Sequence, residues 1–137
     1  MTLVIFACVH NAGRSQMAAA LFDRIADAAI ARAVSAGTSP AARVHPEVVE
    51  AMRELGVDLE HAVPRLLTDE LAEGAGWLIT MGCGDACPHI AGVRRDDWPL
   101  PDPKDQPVER VRQIRDEIAA RVERFVTAEG WARRSPE

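Results

Sequence analysis

The sequence predicts an α/β fold in which a four-stranded parallel sheet lies between layers of flanking helices. Short apolar runs alternate along the chain with segments of helical periodicity, the pattern of parallel strands joined by crossover helices. A chain of 137 residues is long enough for one domain with a buried core. No internal repeat or Gly/Ser-rich linker divides it. We therefore expect a single three-layer domain over residues 1–130 and a C-terminal tail over 131–137, with Trp131 able to pack back.

The first half of the chain predicts two strands and two helices. An apolar run predicts a strand over residues 3–7, and alanine-rich helical periodicity predicts a helix over 15–31. A short second strand over 33–36 precedes a turn rich in Gly, Thr, Ser and Pro. Pro46 suits a first helical turn and introduces a helix over 47–55.

The second half predicts two more strands and two helices. Thr68 is expected to cap a short helix over residues 69–73. A third strand is expected over 77–81 and a weaker fourth strand over 93–98. Apolar residues at helical spacing predict a final amphipathic helix over 108–126.

Composition excludes several classes of function. A net charge of −5 and a pI near 5.4 argue against nucleic-acid binding, which requires a basic surface. No apolar run reaches the ~18–20 residues of a membrane span, and no basic region precedes the first apolar stretch as in a signal peptide. Three cysteines fit a reducing cytoplasm with reactive thiols better than a secreted disulfide framework.

The most informative segment is the loop between the first strand and the first helix. Cys8 and Arg14 stand at its two ends, and Ser15 follows. Backbone amides of such a loop, with the positive end of a helix dipole, form a cradle for a tetrahedral oxyanion and favour a thiolate. Arg14 would donate two hydrogen bonds to the anion, and Ser15 one to the sulfur. The predicted oxyanion-binding residues are Val9, His10, Asn11, Ala12, Gly13, Arg14 and Ser15.

Two residues inside this loop have expected supporting roles. Asn11 is expected to brace the loop by side-chain hydrogen bonds, since Asn tolerates a left-handed conformation. His10 is expected to point outward. A structural cysteine beside a surface arginine is the alternative interpretation of the Cys8–Arg14 pair.

A second group of thiols follows the third strand, at the same predicted edge of the sheet as Cys8. Cys83 and Cys87 are four residues apart, among glycines and a proline that disfavour a stable helix. Such a segment suits thiols that exchange disulfides. The alternatives are a zinc site with His89 or two inert buried thiols.

A carboxylate held between two prolines is the third candidate feature. Pro101 and Pro103 restrict the backbone on either side of Asp102. A protonated Asp102 near a bound oxyanion would act as a general acid, and a simple turn residue is the alternative.

The loop from Cys8 to Ser15, continued by Gln-Met-Ala, resembles the low-molecular-weight tyrosine phosphatase superfamily and, within it, the thiol-dependent arsenate reductases. The resemblance covers nearly the whole chain. It implies that Cys8 attacks arsenate, that Asp102 protonates the leaving oxygen, and that one of Cys83 and Cys87 attacks the adduct while the other resolves the disulfide. It also implies a thioredoxin-type reductant. We expect no cofactor and assign no metal ligand, although in some related reductases the residue equivalent to Asn11 helps to hold a potassium ion.

Two features favour a reductase over a phosphatase. The chain has no tyrosine to line a phosphotyrosine slot after Asp102, and a phosphatase has no use for two further cysteines. The remaining alternatives are a reductase coupled to mycothiol or glutathione with a glutaredoxin-like protein, and a low-molecular-weight tyrosine phosphatase.

Overall fold

The computed structural model describes residues 1–82 and 90–133. These residues form four strands: β1 (Thr2–Cys8), β2 (Ala31–Gly37), β3 (Trp77–Thr80) and β4 (Arg94–Asp97). They pair in the order β2-β1-β3-β4, and each pair is parallel. The predicted four-stranded parallel sheet is confirmed.

Helices cover both faces of the sheet. The described helices are α1 (Arg14–Ile25), α2 (Pro46–Arg53), α3 (Asp69–Glu73) and α4 (Val108–Glu129). Side chains alternate along β1, so Val4 and Phe6 face one core and Ile5 and Ala7 face the other. The first core is shared with α1, α2 and α4, and the second is shared with α3.

The elements begin close to their predicted positions. Pro46 occupies the first turn of α2, and the Thr68 side chain accepts a hydrogen bond of 3.1 Å from the Leu71 amide at the start of α3. The final helix continues to Glu129 and ends at Gly130, whose φ of +74° is left-handed. Within the described residues, no helix is both long and apolar enough to cross a membrane.

The predicted extent of the first helix was wrong. The helical periodicity was expected to extend to residue 31, but α1 ends at Ile25, and Ala26 is extended with a ψ of 146°. Residue 31 instead begins β2, where Ala31 pairs with Thr2. The alanine-rich sequence contains no helix-stopping residue, so pairing with the sheet overrides its local preference.

Trp131 packs back onto the domain. Its ring makes edge contacts with Phe22 and Phe125 at centroid distances of 5.9 and 5.4 Å. Its carbonyl accepts a hydrogen bond of 2.7 Å from the Asp27 amide. The Arg133 side chain donates to the carbonyl of Ala26 at 2.8 Å, so residues 131–133 hold the segment that follows α1.

Candidate active site

Cys8 ends the central strand β1 at the carboxyl edge of the sheet, where open parallel sheets place their ligand sites. Its side chain belongs to the larger core, and the residue is only 3% exposed. Five residues separate Cys8 from Arg14, the first residue of α1. The first turn of α1 has no side-chain cap, so its amides remain available at the positive end of the helix.

The carbonyl groups of this loop are held from outside by the segment that follows β2. Four amides of that segment donate to four loop carbonyls at 2.8–3.2 Å. By contrast, the amides of residues 9–14 donate none of the hydrogen bonds found between described residues. A loop with occupied carbonyls and free amides binds an anion. The four pairs are Thr38 to Cys8, Ser39 to Val9, Ala41 to His10 and His45 to Ala12.

The Cys8 sulfur lies 2.8 Å from the Ser15 hydroxyl oxygen. The Asn11 side-chain amide donates to the same oxygen at 2.8 Å. Since that oxygen accepts from Asn11, its own proton is free to point at the sulfur. A hydroxyl that donates to sulfur stabilises the negative thiolate, which is the nucleophilic form.

Asn11 is fully buried and adopts a left-handed φ of 49°. Its side-chain oxygen accepts from the Arg65 amide at 2.9 Å and from Gln16 at 3.2 Å. Its own carbonyl also accepts from Gln16, at 3.1 Å. These contacts hold Asn11 as a brace, the arrangement that the sequence predicts for it.

Arg14 lies almost wholly inside the site, at 8% exposure. Its Nη1 donates to the carbonyl of Leu100 at 3.0 Å, and its Nη2 lies 3.8 Å from Asp102 Oδ2. Its Nε is buried and has no hydrogen-bond partner among the described residues. A guanidinium with a buried free donor beside unpaired loop amides is suited to bind an oxyanion.

The segment around Asp102 lies directly against the loop. Asp102 Oδ1 accepts from the Lys104 amide at 3.0 Å, while its Oδ2 faces Arg14, and the side chain is 47% exposed. Pro103 covers Gly13 so closely that a Cβ added at Gly13 would lie 2.6 Å from Pro103 Cγ. The fold therefore brings Asp102, which precedes α4 in the sequence, close to Arg14.

His10 contributes to the packing of the loop. Its Nδ1 lies 3.1 Å from the carbonyl oxygen of Ser39, which accepts the hydrogen bond. The ring therefore adds a side-chain contact between the loop and the segment after β2.

The sequence matches the low molecular weight phosphotyrosine protein phosphatase family over residues 3–132. The chain belongs to this family. It is 42% identical over 123 residues to a putative arsenate reductase of Halobacterium salinarum, with 85% of each chain covered. It is 31% identical over 126 residues to an arsenate reductase of Staphylococcus aureus, covering 89% of this chain and 94% of the relative. The resemblance expected from the loop is confirmed.

A solved member of the family shares the fold. The thioredoxin-dependent arsenate reductase of Corynebacterium glutamicum superposes with a TM-score of 0.80 at 38% identity. The match covers 93% of this chain but 61% of that longer one.

Sequence reasoning missed three residues that shape this phosphatase-family site. Leu100 supplies the carbonyl that anchors Arg14, and His45 supplies both an amide for the loop and a neighbouring ring. Gly82, with a φ of +102°, leaves the space that the Arg14 guanidinium fills. A glycine directly after a strand end is a weak signal of such close approach. The sequence carries no signal for Leu100 or His45, because their contacts with the site depend on the tertiary fold.

The predicted redox pair lies outside the described residues. Cys83, Cys87 and His89, and with them the zinc alternative, all fall in the segment between residues 82 and 90. Their roles stay predictions from the sequence.

Proposed function

We propose that this chain is an arsenate reductase that converts arsenate to arsenite through a thiol cascade starting at Cys8. One observation carries the proposal. The Cys8 sulfur lies 2.8 Å from the Ser15 hydroxyl, in a loop whose amides donate to no described residue, and the Nε of Arg14 also has no partner among the described residues. This arrangement offers a nucleophile and donors for the oxygens of one tetrahedral anion.

In the first step, the Cys8 thiolate attacks arsenic and forms a sulfur–arsenic bond. One arsenate oxygen leaves as water, and Asp102 provides the proton that this oxygen needs. The loop amides and Arg14 stabilise the negative oxygens throughout. The distance of 3.8 Å between Asp102 Oδ2 and Arg14 Nη2 supports this role for Asp102.

In the second step, the Cys83 thiolate attacks the Cys8 sulfur. The electron pair of the sulfur–arsenic bond passes to arsenic, which leaves as arsenite in the trivalent state, and a Cys8–Cys83 disulfide remains. Cys87 then attacks Cys83, so the disulfide moves to Cys83–Cys87 and Cys8 is regenerated. Two electrons leave the thiols and two reach arsenic.

The reductase proposal is favoured over a phosphatase because of the residues beyond the loop. Both reactions begin with the same tetrahedral anion, and the loop serves either. The chain adds two cysteines that phosphate-ester hydrolysis does not need, and it contains no tyrosine. The similarity to proteins named arsenate reductases supports the same choice.

The electron donor is proposed to be a thioredoxin-type dithiol protein in the cytoplasm. A disulfide between Cys83 and Cys87 is the kind of product that a dithiol protein reduces by exchange. The Corynebacterium glutamicum protein of similar fold is thioredoxin-dependent. The second candidate is mycothiol or glutathione, with a glutaredoxin-like protein to cleave the mixed disulfide.

The deciding measurement is arsenate-dependent NADPH oxidation with thioredoxin and its reductase, compared with a mycothiol- or glutathione-based system. Cys8→Ser is expected to abolish reduction in every system, and Cys87→Ser to allow one turnover at most with thioredoxin. The matched control is hydrolysis of an aryl phosphate, which should be weak and unaffected by Cys87→Ser. Sustained turnover of the double variant Cys83→Ser, Cys87→Ser with thioredoxin would contradict the cascade.

A further inference from the structure

His45 lies where the oxyanion loop meets the segment that carries Asp102. Its backbone amide donates to the carbonyl of Ala12 at 2.9 Å, which fixes its main chain to the loop. A Cβ added at Gly13 would lie 3.5 Å from the ring carbon Cδ2 of His45 and 2.6 Å from Pro103. The imidazole and Pro103 therefore border the space beside the same loop residue, Gly13, which directly precedes Arg14.

The charged groups around this ring come from three elements. Burial lowers the pKa of His45, while the charge of Asp102, followed by that of Glu47 on α2, raises it. Lys104 and His10 lower the pKa further. Burial therefore holds the ring toward its neutral form against the opposing effects of Asp102 and Glu47.

We propose that His45 is a positioning residue that couples the capture of a tetrahedral oxyanion to the uptake of a proton on its imidazole. An anion in the loop brings up to two negative charges next to Gly13, the residue beside which the His45 ring lies. Negative charge favours imidazolium, so the ring gains a proton as the anion binds. By reciprocity, a protonated ring strengthens anion binding by the same factor.

The protonated ring also stabilises Asp102 after this residue has donated its proton. When Asp102 gives its proton to the leaving oxygen it becomes a carboxylate, and an imidazolium facing it stabilises that charge. His45 therefore acts through the loop and Asp102 without touching the reacting atoms. The inference rests on the proposed oxyanion site but is independent of arsenate reduction.

Sulfate is the probe that separates the protein's protonation from that of the ligand. It remains a dianion over the range of about pH 5–8 in which histidine titrates, whereas phosphate and arsenate change charge there. Binding is measured by calorimetry in buffers of different ionisation enthalpy, which counts the protons taken up. The carbon-bound imidazole proton of His45 is followed by NMR, with and without sulfate.

We expect sulfate to move the His45 titration to higher pH and to bind with uptake of a fraction of a proton. Sulfate affinity should rise by at least about threefold as the ring charges, which corresponds to half a pKa unit. His45→Gln and His45→Asn should both remove this rise in sulfate affinity. His61→Gln, at an exposed histidine that is not among the charged groups acting on His45, is the matched control and should keep the wild-type dependence.

Two results would overturn the inference. One is a His45 resonance that titrates at the same pH with and without sulfate, a test that needs no folded variant. The other is a His45→Gln protein that keeps the wild-type pH dependence and proton uptake. If sulfate does not bind the wild-type chain at all, the proposed oxyanion site fails and the inference fails with it. If sulfate binds with the expected linkage but arsenate is not reduced, only the proposed reaction fails.

Discussion

Arg14 shows what a single residue contributes to this site before any anion arrives. A buried donor without a partner costs about 1–3 kcal/mol, and Arg14 Nε is in that position among the described residues. The fold tolerates this cost because Leu100 and Asp102 hold the rest of the guanidinium in place. A bound oxyanion would supply the missing acceptor. The sequence spacing of Cys8 and Arg14 predicts this role. It does not predict the contact with Leu100, which lies 86 residues further along the chain.

Gly82→Ala tests the placement of that guanidinium. A Cβ at residue 82 would overlap Arg14 Nη1, so the side chain must move away from the loop. We expect oxyanion affinity to fall by about tenfold or more, since one charge-assisted hydrogen bond contributes about 1.5–3 kcal/mol. Gly92→Ala is the matched control, because Gly92 also has a positive φ, of +83°, but a Cβ added there would meet no atom of a described residue within 4 Å. Equal losses of sulfate affinity in both variants would refute the close-approach explanation.

Ser15→Ala tests the hydrogen bond to the nucleophile. Loss of the hydroxyl removes the donor 2.8 Å from the Cys8 sulfur and leaves the Asn11 amide without its acceptor. We expect alkylation of Cys8 by iodoacetamide at neutral pH to slow by about tenfold, because a hydrogen bond to a charged group contributes about 1.5–3 kcal/mol. The modified cysteine is identified by peptide mapping.

The control for this change is Ser39→Ala. That variant keeps the backbone groups of residue 39 that hold Val9 and His10, and should react at the wild-type rate. If Ser15→Ala also reacts at the wild-type rate, the hydroxyl does not activate the thiol.

At the scale of elements, the junction between α1 and β2 separates what the sequence predicts from what it does not. Periodicity located the helix and its apolar face but not its end. The chain leaves the helix at Ala26, because Asp27 pairs with the carbonyl of Trp131 and Ala31 must enter the sheet. That partner comes from the other end of the chain, so no local pattern contains the stop signal. The cap of α3 by Thr68 is local and was predicted correctly.

Truncation after Gly130 tests whether Trp131 and Arg133 are part of the folded domain. The change removes two aromatic contacts of Trp131 and the hydrogen bonds that Arg133 gives to Ala26 and Asp23. We expect the free energy of unfolding to fall by about 2–4 kcal/mol, as for loss of a packed aromatic side chain. Urea denaturation measures the change. Truncation after Arg133 is the control, and an equal loss there would show that residues 131–133 contribute nothing.

At the scale of the whole molecule, the strand order assembles the site. Strand β1 lies between β2 and β3, so the carboxyl ends of these three parallel strands lie side by side at one edge of the sheet, around Cys8. Alternating strand and helix patterns predict a parallel sheet but not its order, which depends on contacts between distant elements. The nucleophile and the arginine were therefore predictable from one local motif. The segment around His45 and the one around Leu100 enter the site only through the complete topology.

The pH dependence of stability is a property of the whole molecule, and His45 should contribute to it below neutrality. Because burial lowers the pKa of His45 in the folded chain, the unfolded chain binds more protons from about pH 6.5 down to the folded value. The free energy of unfolding must therefore fall as the pH falls through that window. Urea midpoints in chloride buffer at about pH 7.5 and about pH 5.5 should differ more for the wild type than for His45→Gln.

The same comparison separates His45 from the other titrating groups. Asp23, whose pKa is raised by burial, favours the folded state toward low pH, but it is present in both proteins and cancels between them. His61→Gln should keep the wild-type difference between the two midpoints, since His61 is exposed and is not among the charged groups that act on His45. Added sulfate should shrink the difference for the wild type and for His61→Gln but not for His45→Gln, because a bound anion helps the folded chain to keep the proton on His45. An identical pH dependence in wild type and His45→Gln would mean that this ring titrates alike in the folded and unfolded chain.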